Sequence, residues 1–282
     1  MNIVILGSKG QLGRDLLKIF EDEENTLIGY DLPEVDITDY QSLKRDLYEA
    51  MPGVVINAAA YTDVEGAEDN EHDAFRSNEL GAQNVAKLTR ELEIPVVYIS
   101  TDFVFDGTHD EPYKIDDATV PLSVYGRSKL AGEMSTREAN SKHYIVRTAW
   151  LYGPGGNNFV EKMLSLSEQH SSLKVVSDEV GAPTHTWDLA EAIQALIGTN
   201  LFGTYHVVNS GSCSRDEFAR KIFLYSEKDV EVTPCASDEF PTKAERPAYS
   251  VLDISGTESV IGYSIRSWQD ALRYYMKRRE HS

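Results

Sequence analysis

Asn2-Ile3-Val4-Ile5-Leu6-Gly7-Ser8-Lys9-Gly10-Gln11-Leu12-Gly13 decides the fold. Its first half holds a continuous apolar run rich in β-branched side chains, the pattern of a strand buried on both faces of a parallel sheet. Glycines follow at once as GxxGxxG, and Gln11 to Phe20 then carries Leu12, Leu16, Leu17 and Phe20 at helical spacing. Strand, glycine turn and helix in that order make a βα unit with a specific use. Residues without Cβ permit the tight turn, let the backbone approach a pyrophosphate, and let the helix pack closely on the strand. The helix N-terminus then offers free N–H groups and the positive end of its dipole to the phosphates. Three spaced glycines alone are weak, and a purely structural βα turn is the competing reading; the position directly between strand and helix favours the dinucleotide.

The same rhythm continues outward. Thr26 to Tyr30 reads as a second strand, Tyr40 to Met51 as a helix, Val54 to Asn57 as a third strand, Asp73 to Leu92 as a long helix and Val96 to Ser100 as a fourth strand. Tyr125 to Glu138 and Tyr144 to Arg147 add another helix and strand. Alternation of this kind predicts an α/β fold, a Rossmann-type doubly wound parallel sheet with helices on both faces. Past residue 150 the rhythm loosens into helices at Asn157 to Gln169, Thr186 to Ile197, Ser214 to Tyr225 and Ser267 to Lys277, with strands at Leu173 to Val176 and Thr204 to Val208. The expected organisation is a dinucleotide-binding core over residues 1–152 and a smaller C-terminal α/β substrate-binding lobe over 153–282, with elements near 186–208 returning to the core.

Composition narrows the function. Hydrophobic residues make up 41% and charged residues 26% of the 282, ordinary globular usage that excludes wholesale disorder or a coiled coil. The net charge is −19, and the basic cluster Lys277-Arg278-Arg279 stands alone, so neither a nucleic-acid backbone nor an anionic membrane is an expected partner. The opening MNIVILGSKG has no basic segment before a long apolar stretch, and no run approaches the roughly 18 apolar residues of a membrane span. Cys213 and Cys235 form no CxxC pair and read as free thiols. The expectation is a cytoplasmic protein. The seven histidines show neither HxxxH nor HExxH spacing, so no catalytic metal is expected, and no GxSxG elbow supports hydrolysis.

Other residues cluster around the glycine turn. Asp31 ends the second strand, where a carboxylate accepts from the adenosine ribose hydroxyls and repels a 2′-phosphate. That favours NADH, although Lys9 within the turn offers a partner to the 2′-phosphate of NADPH. Asp36 and Ile37 follow within reach of the adenine edge. Ala58, Ala59 and Ala60 close the third strand with side chains small enough for a dinucleotide to lie across them.

Tyr125-Gly126-Arg127-Ser128-Lys129 contains YxxxK, which puts phenol and ammonium on one helix face. Tyr40-Gln41-Ser42-Leu43-Lys44 has the same spacing. Only Tyr125 begins the helix that follows Ser100-Thr101-Asp102, a polar cluster at a strand's carboxyl end, where open α/β sheets bind ligands. Hydride delivered to a ketone leaves an alkoxide that needs a proton. A free phenol has a pKa of about 10, and lowering it by roughly three units takes about 4 kcal/mol. One ammonium at about 4 Å in an effective dielectric near 20 supplies about that much. Tyr125, Lys129 and Thr101 are therefore the candidate catalytic residues, with Thr101 bonding both the carbonyl oxygen and the phenol.

These stretches resemble the extended short-chain dehydrogenase/reductases, and within them the dTDP-4-dehydrorhamnose reductase family. The likeness runs through GSKGQLG (7–13), VINAAAYTDVEGAE (55–68), STDFVFDG (100–107), PLSVYGRSKLAGE (121–133), RTAWLYG (147–153), GNNFVEKML (156–164), GAPT (181–184) and RPAYSVLD (246–253). It implies reduction of the 4-keto group of dTDP-4-dehydro-L-rhamnose by NADH or NADPH, with Tyr125 as proton donor. Cofactor contacts are implied at Gly7, Gly10, Gln11, Leu12, Gly13, Asp31, Asp36, Ile37, Ala58 to Ala60, Tyr125 and Lys129. Substrate contacts are implied at Thr101, Asp102 and Trp150, with Asn158, Arg246 and Asp253 weaker candidates; Trp150 would offer its indole face to the sugar and Arg246 a fork to the diphosphate. The resemblance also implies a homodimer, and some members carry a magnesium ion between subunits.

Four positions depart from the family pattern: Glu65 where aspartate is common, Phe103 where tyrosine is, Ser123 where asparagine is, and Glu179 where glutamine precedes the GAPT segment. Glu179 matters most, since an anion near a diphosphate is unfavourable. Two rivals stand beside the main reading: a reductase or epimerase on another nucleotide sugar, and a non-catalytic regulatory subunit resembling that of methionine adenosyltransferase.

Overall fold

The N-terminal apolar run is β1 (Asn2–Leu6) of a computed structural model that describes residues 1–279. Its side chains divide between two cores, Ile3 and Ile5 in one, Val4 and Leu6 in the other. That is the two-sided burial of a central parallel strand. The chain continues through α1 (Gln11–Ile19), β2 (Thr26–Tyr30), α2 (Tyr40–Ala50), β3 (Val54–Asn57), α3 (Val64–Asp69), α4 (Glu71–Phe75), α5 (Ala82–Glu91), β4 (Val96–Thr101), α6 (Val124–Ala139) and β5 (His143–Thr148). Then come β6 (Leu151–Tyr152), α7 (Phe159–Ser167), β7 (Ser172–Val176), β8 (Val180–Gly181), β9 (Thr184–His185), α8 (Thr186–Thr199), β10 (Gly203–His206), β11 (Cys213–Ser214), α9 (Arg215–Tyr225), β12 (Glu231–Cys235), α10 (Ser255–Ile261) and α11 (Trp268–Arg279).

Six strands form one sheet in the order β10-β5-β4-β3-β1-β2, and every pair is parallel. The chain leaves β1 toward β2 and then crosses back to β3, so the strand order reverses beside β1. Ligand crevices in such sheets open at the carboxyl ends of the strands at this reversal. On one face Leu12 and Leu16 of α1 share a core with Leu189, Ile193 and Leu196 of α8. On the other, Leu43 and Leu47 of α2 meet Val85 and Leu88 of α5. β10, which follows α8, pairs with β5 and closes that edge of the sheet.

A separate apolar cluster gathers Val160 and Met163 of α7, Val175 of β7, Phe218 and Ile222 of α9, and Trp268 and Leu272 of α11. β12 pairs in parallel with β7 beside it. Cys213 and Cys235 are buried and free. Among the described residues no helix is long and apolar enough to cross a membrane. Positions 280–282, the end of the expected C-terminal lobe, lie outside the described residues.

The long helix expected over Asp73 to Leu92 is interrupted. Between α4 and α5 the segment Arg76–Gly81 winds as a π-helix, a form that is rare and recurs beside functional sites. The cause is local. Asn78 accepts from the Tyr61 N–H at 2.9 Å and donates to Ser128 Oγ at 2.9 Å, while its carbonyl accepts from the Tyr98 hydroxyl at 3.1 Å. Gly132 of α6 admits this turn, since a Cβ there would stand 2.1 Å from the Asn78 carbonyl oxygen.

Candidate active site

The three glycines of the first turn do different jobs. Gly7 has φ +80°, and a Cβ on it would meet the Ala59 nitrogen at 2.7 Å. A Cβ on Gly13 would meet the Gly7 carbonyl oxygen at 2.2 Å. Both are required by the protein's own packing. Gly10 is different: its nearest neighbour would be Gly7 O at 3.3 Å, so the chain itself tolerates a larger residue far better there. Gly10 is also the N-cap of α1 and supplies no side-chain acceptor to the first helical N–H groups. An uncapped helix start facing a glycine cradle is a fitting seat for a pyrophosphate.

The turn opens on a cleft of about 810 Å³. Gly7, Gly10, Gln11, Leu12, Gly13, Asp31, Ile37, Ala58, Ala59, Ala60, Thr101, Asp102, Tyr125, Lys129, Trp150 and Arg246 all line it, so the separate sequence stretches converge on one space. Asp36, Asn158 and Asp253 do not. Asp36 turns to the Thr38 N–H at 2.8 Å and to Arg76 at 3.9 Å. Asn158 is buried as the N-cap of α7, where it accepts from Glu161 N at 3.1 Å and donates to Gly153 O at 3.1 Å and Gln11 Oε1 at 3.2 Å. It braces the loop beside Gln11 and does not face the cleft. The Asp253 carboxylate accepts from Ser255 N at 2.9 Å.

Asp31 accepts from the backbone N–H groups of Lys9 and Leu32, each at 2.8 Å, which fixes its carboxylate at the end of β2. The Lys9 ammonium, a candidate partner for a 2′-phosphate, is paired with Glu34 at 3.0 Å.

Deeper in, Thr101 Oγ1 donates to Asp102 Oδ1 at 3.1 Å, and burial pushes the neighbouring Tyr125 phenol up to about 12, with the Thr101 side chain opposing the rise and Asp102's charge adding to it. Lys129 is buried; its Nζ donates to Ile99 O at 2.6 Å and sits 4.3 Å from the Tyr98 ring centroid. Burial brings it down to about 7 against the pull of Glu133. The expectation that Lys129 lowers the Tyr125 pKa is therefore not met in this arrangement. The ammonium is engaged by the β4 backbone and desolvation governs both groups. Asp102, also buried, rises to about 6 for the same reason, opposed by the nearby Ser250 and Thr101 side chains and by the Arg215 charge.

Beneath them Glu133 binds Arg147 through two bonds of 2.9 and 2.8 Å and accepts from Ser100 Oγ at 2.6 Å. This buried, fully paired network ties α6 to β4 and β5. Ser123 caps α6 by accepting from Gly126 N at 3.1 Å, a role serine fills as well as asparagine. Phe103 meets Tyr125 edge-on, with centroids 5.6 Å apart.

At the far end Trp150 adopts φ +45°. One side of its indole lies on Gly181, where a Cβ would be 2.4 Å from the ring. The guanidinium of Arg215 stacks 3.4 Å from a ring centroid. Trp150 thus lines the cleft, but its ring faces are occupied, which corrects the expectation of an indole face open to a sugar. Arg215 was absent from the sequence-based site. Nothing local marks it, because its place comes from the pairing of β8 with β11, which sets Glu179 beside Arg215 with Oε2 to Nε at 3.3 Å. Arg246 is paired with Glu65 at 2.5 Å. Among the described residues no group of three or more His, Cys, Asp or Glu side chains is placed to hold a metal ion.

A sequence model of the RmlD substrate binding domain matches residues 1–280. The spore coat polysaccharide biosynthesis protein SpsK of Bacillus subtilis (strain 168) is 38% identical over 277 residues, covering 98% of this chain and 97% of that protein. The crystal structure of a dTDP-4-dehydrorhamnose reductase from Clostridium acetobutylicum superposes with a TM-score of 0.96 at 41% identity, covering 99% of this chain and 100% of that one. The dTDP-4-dehydrorhamnose reductase of Bacillus anthracis str. Ames, in complex with NADP, gives a TM-score of 0.95 at 40% identity, covering 98% and 99%.

Proposed function

We propose that this chain, which belongs to the RmlD substrate binding domain family, reduces the 4-keto group of dTDP-4-dehydro-L-rhamnose to give dTDP-L-rhamnose with NADH or NADPH. The supporting observation is the convergence of the glycine turn, the strand-end residues Thr101 and Asp102, and the Tyr125–Lys129 pair on one cleft, in a chain that matches dTDP-4-dehydrorhamnose reductases nearly end to end.

Gly7 to Gly13, Asp31, Ile37 and Ala58 to Ala60 would hold the dinucleotide, the start of α1 offering its N–H groups to the pyrophosphate. A nicotinamide held there would supply the hydride for C4 of the sugar. Tyr125 gives its phenolic proton to the C4 oxygen, so the carbonyl becomes a secondary alcohol. A phenol held up to about 12 by burial is fully protonated at neutral pH and ready to donate, and an alkoxide is a strong enough base to take the proton. Thr101 orients the phenol and the carbonyl oxygen together. Lys129, whose Nζ donates to the Ile99 carbonyl, would hold the ribose hydroxyls of the nicotinamide half, one helical turn from Tyr125. Asp102 faces the sugar, while Trp150 and Arg246 border the same space, Trp150 packed by Arg215 and Arg246 paired with Glu65. Residues 1–152 carry mainly the cofactor and residues 153–282 mainly the nucleotide sugar. Family resemblance supports a cytoplasmic homodimer, and light scattering tests the assembly.

The assay is oxidation of NADH and of NADPH by the purified protein with dTDP-4-dehydro-L-rhamnose and with other dTDP- and UDP-linked 4-keto sugars. Turnover highest on the first is expected. Turnover only on another sugar moves the assignment to that substrate, and cofactor binding without turnover on any points to a regulatory subunit.

A further inference from the structure

Arg215 lines the cleft beside Trp150, and Glu179 is paired with it. Antiparallel pairing of β8 with β11 aligns Val180 with Ser214 and so brings the next residues, Glu179 and Arg215, side by side. Both are mostly buried, with side chains 14% and 17% exposed. Glu179 takes only the Nε of Arg215, at 3.3 Å, and Trp150 supports the guanidinium plane at 3.4 Å. Both terminal nitrogens are left without a protein acceptor among the described residues. The guanidinium lines the cleft with its fork free to take an acceptor that enters there. Arg246 contrasts with it: Nη2 is paired with Glu65 at 2.5 Å and Nη1 donates to Ala244 O at 3.3 Å.

We propose that Arg215, seated on Trp150 and steered by Glu179, is the cation that grips the diphosphate of the nucleotide sugar. This rests on the reading of the cleft as a nucleotide-sugar site. It reverses the concern that Glu179 disfavours a diphosphate. A carboxylate bonded to Nε aims the remaining fork outward, and the fork matches two phosphate oxygens as a planar bidentate donor. In a chain of charge −19 the anion needs such a local device. Arg215 also neighbours Asp102, which places the grip next to the reacting end of the sugar.

Calorimetric titration of the full chain with dTDP and with thymidine, in saturating NADH, tests this. Arg215→Met should weaken dTDP binding by about 10- to 100-fold, the loss of a charged hydrogen-bonding group, while thymidine and NADH bind as in the wild type. Intact NADH binding reports that the variant is folded, and Arg215→Lys, which keeps the charge but not the fork, should fall between. Glu179→Ala should weaken dTDP severalfold by releasing the guanidinium; tighter binding would overturn the steering role. In turnover, the KM for the nucleotide sugar should rise far more than kcat falls. Unchanged dTDP affinity in Arg215→Met, with loss in Arg246→Met, would assign the grip to Arg246 and sink the proposal alone. A wild-type protein that binds NADH but not dTDP would sink the nucleotide-sugar reading itself, and the proposal with it.

Discussion

Two YxxxK segments in this chain have the same spacing and opposite circumstances. Tyr40 and Lys44 lie on the outside of α2 and share one carboxylate: Glu91 accepts from the Tyr40 hydroxyl at 2.6 Å and from Lys44 at 2.7 Å. Bonding to Glu91 raises the lysine above its ordinary range. Tyr125 and Lys129 begin α6 against the cleft, and neither is bonded to a carboxylate. Burial drives that lysine the other way, to about 7. Helical spacing makes the two groups neighbours; surroundings decide whether they are a solvated ion-pair cluster or a proton donor with a charge that can be called on. A lysine that shifts when desolvated is a chemical resource, and one satisfied by a surface glutamate is not.

The sharpest way to break this contrast is Tyr125→Phe against Tyr40→Phe. Removing a positioned general acid is expected to lower turnover by at least about 100-fold. The ring stays, so NADH binding and the melting temperature of Tyr125→Phe should match the wild type. Tyr40→Phe should turn over normally. Loss of activity in Tyr40→Phe with near-normal turnover in Tyr125→Phe would reverse the catalytic assignment.

Next in size is the lysine. Lys129→Met should weaken NADH binding by about 10- to 100-fold, the range for a charged hydrogen bond, and Lys44→Met should leave it unchanged. Fluorescence titration of the nicotinamide reads both. A Lys129→Met variant that binds NADH normally would leave the ammonium without a place at the ribose.

The pH dependence sharpens the same comparison. Lys129 folds with a value near 7 against 10.5 for an unhindered lysine. The folded protein therefore binds fewer protons than the unfolded chain between those values, and the Lys129 contribution to stability rises with pH across that window. Cofactor binding that needs the ammonium has the opposite sign. The affinity for NADH should fall as pH rises through about 7, by up to about tenfold per pH unit, the limit for one linked proton. Lys129→Met should flatten this profile between pH 6.5 and 9, whereas Lys44→Met should reproduce the wild-type slope. A slope that survives in Lys129→Met must come from another group.

The sheet was legible because its signals are local. β1 is a short apolar run followed by glycines, and the crossing helices carry apolar residues at helical spacing, so their order alone implies a parallel sheet. The glycine turn and Tyr125 were legible for the same reason, each defined by its neighbours in sequence. What was not legible depends on distant residues. The π turn at Arg76–Gly81 arises from Asn78 meeting Tyr61, Tyr98 and Ser128, none of them within its own helical segment. Arg215 reaches the cleft through a two-residue strand pairing too short to leave a pattern. Asn158 was assigned to substrate on resemblance, yet capping α7 occupies its side chain. The Lys129 value reflects burial under β4 and α6, which no spacing rule records.

The smallest expected effect tests the passive member of the pair. Glu91 is held below the ordinary carboxylate range first by the bond from Lys44, then by those from Tyr40 and Tyr48, with slight burial opposing. A carboxylate depressed in the folded state adds stability above its unfolded value, ordinarily 4.5, and that stability is lost as pH falls through the lower folded value. Its partners are largely exposed, so side-chain entropy and solvent screening leave only a small contribution. Glu91→Gln should therefore lower the melting temperature slightly at pH 7, and the difference should close as the pH falls through the lowered folded value, where the wild-type carboxylate itself becomes neutral. Turnover and NADH affinity should be those of the wild type at every pH. If Glu91→Gln instead depressed turnover, the surface YxxxK segment would be coupled to the cleft, and placement alone would no longer separate the two motifs.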